Sequence, residues 1–501
     1  MRRRDAILCV ISIAIVAALF WWEGHLSFSL TDEGYLWYGV RQSMHGEVPV
    51  RDFQAYEPGR YYWSVVWLWL QGSTGIVAIR VAIAAFQAIA VFFLLRLFLK
   101  VREDRIFAAA SVVTALIWMG PRHKLFDIVA SISLVAALCY YASAPDKRRA
   151  LIAGSVVGLA GFFGRNHGFY GFAGSMILFL LLAIGGDWKK VLGEMKLWSL
   201  GLLAGCAPLI GMLLFVPGYA KSVLDSFLFL AQIKGTNLPV PVPWPWRSPI
   251  GTVPNLESRV TGVFFILLLV FAFGGFAYLV ANRKKHLPMS PVLMASVAMA
   301  LPYTHFAFSR AEAFHLAQGI FPCLIGVLAL VAALPAVGRY VCLTLLICAS
   351  FLVARHNHPG FEVNSRWQVR QIHEDRLTIE PDAASQADFL ERVYTQYGQG
   401  KMAAIMPFWP GAYPLLNQHC PTYEIYGLFA RTPEFERTEI AKIEADHPQL
   451  IVITNTIPDG NTDLRFAVSH PLTNAYILSH YTQMPNEQGD GPFLIYTRSA
   501  P

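Results

Sequence analysis

MRRRDAILCVISIAIVAALFWWEGHLSFSLTDE, residues 1–33, sets three arginines, an apolar run and an acidic pair in immediate succession. The run from Ala6 to Trp22 reaches about 26 Å as a helix, nearly a bilayer core. Arginines ahead of it mark the cytoplasmic end of a span. A cleaved signal peptide would end in small residues at its cleavage site. This run ends in Trp21 and Trp22, a pair suited to the membrane interface, so we expect an uncleaved first span.

The rest of the chain repeats the pattern. Apolar blocks occur near 6–22, 76–99, 105–120, 126–143, 149–164, 168–185, 197–216, 261–281, 288–303, 316–335 and 338–354, which predicts about 11 crossings. Basic residues gather in alternate gaps: Arg2, Arg3 and Arg4, then Lys100, Arg102 and Arg105, Lys147 to Arg149, Lys189, Lys190 and Lys196, Arg283 to Lys285, and Arg339. With the N-terminus inside, every one of these gaps falls in the cytoplasm and the C-terminus lies outside. Across 501 residues 55% are hydrophobic and 15% charged, against about 25% charged in a soluble domain. The net charge of +7 is spread over these gaps and forms no continuous nucleic-acid surface. Six of the seven cysteines sit in or beside apolar blocks, and no CxxC or Cys/His spacing appears.

The expected fold is therefore a polytopic α-helical membrane domain over 1–354, with a first outer loop at 23–75. From about Arg355 the composition turns polar. Met402–Met406, Leu450–Thr454, Tyr476–Ser479 and Phe493–Tyr496 have the length of strands. Thr432 to Asp446 has that of a helix, with Thr432 as cap and Pro433 at the first position. A small extracytoplasmic α/β domain is expected over 355–501.

Chemistry concentrates in the first outer loop, TDEGYLWYGVRQSMHGEVPVRDFQAYEPGRYYW, residues 31–63. Asp32 and Glu33 follow Trp22 by about ten residues, so they stay near the membrane surface. A carboxylate held there can act as general base at headgroup level. The same pair also fits a helix start, with Thr31 or Asp32 as N-cap. Tyr61 to Leu70 is apolar but too short to cross, so it reads as an interfacial helix. Cations stand at the other predicted outer ends: Arg122 and Lys124, Arg165, and Arg310. Charged groups so close to hydrocarbon are costly and tend to be functional. Arg165 with His167, and Arg310 with Glu312 and His315, also fit plain topology control or a local salt-bridge set. The Pro/Trp stretch at 239–246 reads as a rigid structural loop.

The order of a basic start, one span, Asp32-Glu33, R-D-F and Y-E-P-G-R-Y-Y-W resembles the GT-C membrane glycosyltransferases. Within them it is similar to bacterial members related to protein O-mannosyltransferases and lipid A aminoarabinose transferases. The resemblance implies transfer of a sugar from a polyprenyl-phosphate donor to an acceptor hydroxyl on the outer face, with inversion. By place in the motif Asp32 would be the base and Glu33 its support. Arg60, Lys124, Arg165 and Arg310 would hold the donor phosphate. Asp52, Tyr56, Glu57, Tyr61, His167 and His315 would contact substrate. Where some relatives carry Lys after the motif glutamate this chain has Pro58, which passes the phosphate role to Arg60. No cofactor is required. A divalent metal on Glu57 or a histidine occurs in part of the family, and no ligand spacing here demands one. The implied partners are the polyprenyl-linked donor, a glycan, lipid or protein acceptor, and membrane lipids. The short loops suit a bacterial inner membrane. Two other readings stay open: a transporter or lipid-linked glycan flippase, and a polymer ligase using a pyrophosphate-linked donor.

Overall fold

The computed structural model describes residues 3–184, 186–235, 237–485 and 493–498. Arg2 of the basic start lies outside them. The chain forms two compact units. One comprises Met1–Glu23, Val81–Ala220 and Gly235–Glu362, the other Gly24–Arg80, Lys221–Lys234 and Val363–Pro501.

The first unit is helical. Helices Leu125–Ala142 and Pro291–Phe308 are buried on nearly every side and form its centre. The outer helices are the reverse. Arg3–Glu23 exposes Ile7, Val10 and Ile13, and Ala336–Ala354 exposes Val337, Val341 and Leu345. Apolar surface on this scale would aggregate in water, whereas hydrocarbon solvates it at no cost. Helices Lys147–Phe163 and Trp188–Gly205 pack through glycines. A Cβ on Gly154 would stand 2.0 Å from the Trp198 carbonyl oxygen, and one on Gly205 2.1 Å from that of Ser155. Only bare backbones approach so closely.

Among the described residues seven helices are long and apolar enough to cross a membrane, nine if each bent pair is one span. The expected eleven counts two shorter helices as well. The bent pairs are Trp188–Gly205 with Ala207–Phe215, at 53°, and Ala313–Gly319 with Phe321–Ala332, at 66°. The blocks at 105–120 and 149–164 do form helices, but Arg105–Ile117 and Lys147–Phe163 have 13 and 17 residues. At about 1.5 Å per residue the first reaches about 20 Å and the second about 26 Å, against the roughly 30 Å of a bilayer core. The Pro/Trp stretch is a packed loop. Its Trp244 and Trp246 rings stack 5.3 Å apart, and the Pro243 carbonyl seats against Gly262.

In the second unit, strands β1 (Gln368–Ile372) and β2 (Asp375–Ile379) make a hairpin. Strands β3 (Ala403–Met406), β4 (Leu450–Thr454), β5 (Tyr481–Gln483) and β6 (Phe493–Arg498) form a sheet of order β3-β4-β6-β5. β3 and β4 are parallel, with Ala403 opposite Leu450; β6 is antiparallel to both its neighbours. Helix Pro433–Asp446 starts as expected, the Thr432 hydroxyl accepting the Phe435 N–H. Tyr476–Ser479 is not a strand. It belongs to helix Pro471–His480, because a four-residue apolar run fits either element and Pro471 sets a helix start.

The first outer loop supplies helices Asp32–Met44 and Pro58–Gln71 to this unit. The second leaves Val66, Trp69 and Leu70 exposed. The loop is tied throughout to the C-terminal region. Gln54 N–H donates to Tyr423 O at 2.8 Å, Arg41 to Pro414 O at 2.9 Å, and Gly411 N–H to Leu30 O at 2.9 Å.

Candidate active site

Asp32 and Glu33 open their helix and face different surroundings. The N-cap is Thr31, but its side chain makes no capping bond; Ser29 Oγ accepts the Asp32 N–H at 3.2 Å. Asp32 is exposed, and Glu33 is buried. Both Glu33 oxygens are held by Arg80, Nε to Oε1 at 2.7 Å and Nη2 to Oε2 at 2.7 Å. The Arg80 side chain is fully buried. Its other donors go to backbone carbonyls, Nη1 to Gly24 O at 2.8 Å and Nη2 to Ser27 O at 2.7 Å. One guanidinium thus closes the loop 24–33 onto the start of helix Ile76–Val101. A bidentate pair of this kind fixes geometry as well as charge. Arg80 was hidden in the sequence inside an apolar block. A lone arginine there needs a partner, and that was the available signal.

The backbone after the pair is fixed as firmly. A Cβ on Gly34 would fall 2.5 Å from Gly411 Cα, so the first turn of the helix lies directly on the C-terminal region. Farther along, Asp52 pairs with its neighbour, Arg51 Nε to Oδ1 at 2.8 Å and Nη2 to Oδ2 at 2.8 Å, and accepts the Val48 N–H at 2.7 Å. Burial alone would raise the Asp52 carboxyl, but these bonds and the Arg51 charge hold it below the usual range. Glu57 is the N-cap residue of helix Pro58–Gln71, without a side-chain capping bond. Arg60 is buried, with its guanidinium carbon 4.5 Å from the centre of the Tyr56 ring. Tyr61 OH accepts the Tyr56 N–H at 3.0 Å, and Tyr35 meets Tyr56 edge to face at 4.8 Å. Burial pushes the Tyr35 and Tyr61 phenols up, so both remain neutral.

The remaining candidates lie in the helical unit. Arg122 and Lys124 share the turn Arg122–Lys124, and Arg122 donates to the Glu23 carbonyl. Arg165 is half-buried at the start of helix Arg165–Ala183. His167 is buried between Asp127 and Tyr303, its Nε2 2.9 Å from Asp127 Oδ1 and its Nδ1 2.6 Å from Tyr303 OH. With Asp127 ionised, Nε2–H donates to it, since a carboxylate only accepts. Both ring nitrogens therefore serve the helix bundle and anchor the turn bearing Arg165. Tyr303 and Asp127 were not among the residues singled out from sequence as site residues. Arg310 Nη1 donates to Leu238 O at 3.0 Å, and its Nε stands 3.3 Å from Glu312 Oε1. His315 Nδ1 lies 2.7 Å from the same oxygen. Burial would raise Glu312, but His315 and then the Arg310 charge hold it below the usual range. Among the described residues no cluster of three His, Cys, Asp or Glu side chains could hold a metal ion.

An exposed carboxylate at the head of a helix can take a proton from a hydroxyl. Over its whole length the chain is similar to ArnT from Cupriavidus metallidurans bound to undecaprenyl phosphate, with 14% identity and a TM-score of 0.53, covering 100% of this chain and 99% of that one. It is also similar to the archaeal oligosaccharyltransferase AglB from Archaeoglobus fulgidus, in complex with an inhibitory peptide and a dolichol-phosphate. There the identity is 13% and the TM-score 0.50, over 99% of this chain and 74% of that one. At such identities the likeness is one of fold. Neither a protein-family model nor a curated protein sequence matches the chain.

Proposed function

We propose that the protein is an inverting glycosyltransferase of a bacterial inner membrane. It takes a sugar from a polyprenyl-phosphate donor and passes it to an acceptor hydroxyl on the extracytoplasmic face. The observation that carries this reading is the division of labour in the acidic pair. Glu33 is consumed by Arg80 at both oxygens, while its neighbour Asp32 is exposed at the head of the same helix. Thr31, and not Asp32, is the N-cap residue of that helix.

In the reaction Asp32 accepts the acceptor's hydroxyl proton as that oxygen attacks the anomeric carbon. The bond from this carbon to the phosphate oxygen breaks, and its electron pair leaves on the lipid phosphate. The phosphate gains negative charge, which Arg60 would stabilise. Glu33 and Arg80 are positioning residues, as are Asp52 for its loop and His167 for the turn of Arg165. Tyr56, Glu57, Tyr61 and His315 are assigned to substrate contact. The fold supports the donor class, since the solved ArnT and AglB structures hold undecaprenyl phosphate and dolichol-phosphate.

The test is to reconstitute the protein in liposomes with a panel of polyprenyl-phosphate sugars and an envelope extract as acceptor. Free polyprenyl phosphate and a glycosylated acceptor should appear together. Movement of intact donor across the bilayer without release of phosphate would instead make the protein a flippase.

A further inference from the structure

Two connected crevices lie within the C-terminal unit, apart from the residues assigned to the reaction. The nearer one encloses about 470 Å³ and the other about 360 Å³. Both are in the size range of small-ligand sites. Ser385, Gln386 and Phe493 line both, so they form one continuous trough.

The nearer crevice sits where parallel strands β3 and β4 end. Phe408 and Trp409 follow β3, and Thr454 and Thr456 close β4. The crevice outside the carboxyl ends of parallel strands is where open α/β sheets bind ligands. One wall is helix Pro381–Val393, which turns Asp382, Ser385 and Gln386 inward at the spacing of a single helical face. The opposite wall includes Thr31, the residue directly before Asp32. That segment is held by the Gly411 N–H to Leu30 O bond, two residues beyond Trp409.

We propose that this trough binds a carbohydrate chain of the acceptor, and so delivers a sugar hydroxyl to Asp32. The assignment rests on the transferase reading above; the binding itself does not. Three features of the lining select the ligand. First, rings form the floor: Trp409 and Phe493 lie 4.7 Å apart, and Phe408 and Tyr426 5.6 Å apart. A sugar ring presents an apolar C–H face to such a surface. Second, hydroxyls, an amide and one carboxylate form the rim, which match hydroxyls that both donate and accept. Third, the nearer crevice is lined by no cation and so suits an uncharged sugar ring, while Arg370 and Arg392 line the farther one beside Asp388. A peptide would need a row of backbone partners along a sheet edge. Here the cavity lies across strand ends, where no such row exists.

The experiment uses the full chain in nanodiscs and saturation-transfer difference NMR. The probes are maltotriose, cellotriose, mannotriose and chitotriose, with a Ser/Thr-rich dodecapeptide as contrast. We expect at least one trisaccharide to receive saturation at its ring C–H protons. The signal should fall about fivefold or more in Gln386→Ala, as the loss of one hydrogen bond implies. It should also vanish in Ser385→Trp, which fills the trough from an exposed position without touching the core. Asp32→Asn should keep the signal while losing donor turnover. The proposal is overturned if no trisaccharide gives a signal above that of Ser385→Trp, or if the peptide gives a Ser385-sensitive one. Failure of wild-type protein to release polyprenyl phosphate would instead remove the transferase reading and leave sugar binding standing.

Discussion

Glu33 and Arg80 show what a buried charge demands at the scale of single residues. Desolvating either alone costs several kcal/mol, so each persists only because the other and three backbone carbonyls satisfy it. Arg80→Ala leaves Glu33 buried and unpaired. We expect a loss of about 3–5 kcal/mol in unfolding stability in micelles, and a smaller loss when Glu33→Leu is combined with Arg80→Leu. A double variant as unstable as the single one would mean the pair has no mutual dependence. Asp32 and Glu33 could be singled out from their place after the first span. Their separation into an exposed and a buried carboxylate could not. It depends on a guanidinium 47 residues away, which local pattern does not reveal.

Among the elements, the helices that pack through glycine carry the clearest expectation. Gly154 and Gly158 on one helix, and Gly201 and Gly205 on its partner, each have the small-xxx-small spacing. That spacing is plain in the sequence, whereas the choice of partner helix is tertiary. A Cβ on Gly158 would stand 2.2 Å from Leu202 O. Gly158→Leu should therefore separate the two helices and cost about 1–3 kcal/mol or more, seen as a lower melting temperature in detergent. Gly193, where a Cβ would meet nothing, is the control: Gly193→Ala should melt with the wild type. Other elements were ambiguous for physical reasons. The block at 197–216 has the apolar length of one span, yet breaks near Cys206-Ala207-Pro208, where proline removes a helix donor. The run Tyr476–Ser479 was too short for its period to separate strand from helix.

At the scale of the whole molecule, hydropathy and the alternation of basic gaps were enough to set the class of fold. They act residue by residue through the bilayer and need no knowledge of contacts. What they could not show is that the first outer loop folds with the C-terminal region as one compact unit. That union rests on contacts such as Gly34 against Gly411 and Tyr423 OH to Val50 O, which join positions more than 370 residues apart. It gives the C-terminal region a mechanical role, since it seats the turn that presents Asp32. The central claim is that this carboxylate is the base. Its direct test is the rate at which purified Asp32→Asn releases polyprenyl phosphate from a sugar-charged donor, compared with wild type at equal protein and equal melting temperature. The account predicts a fall of about 10²–10⁴-fold. An unchanged rate would contradict it.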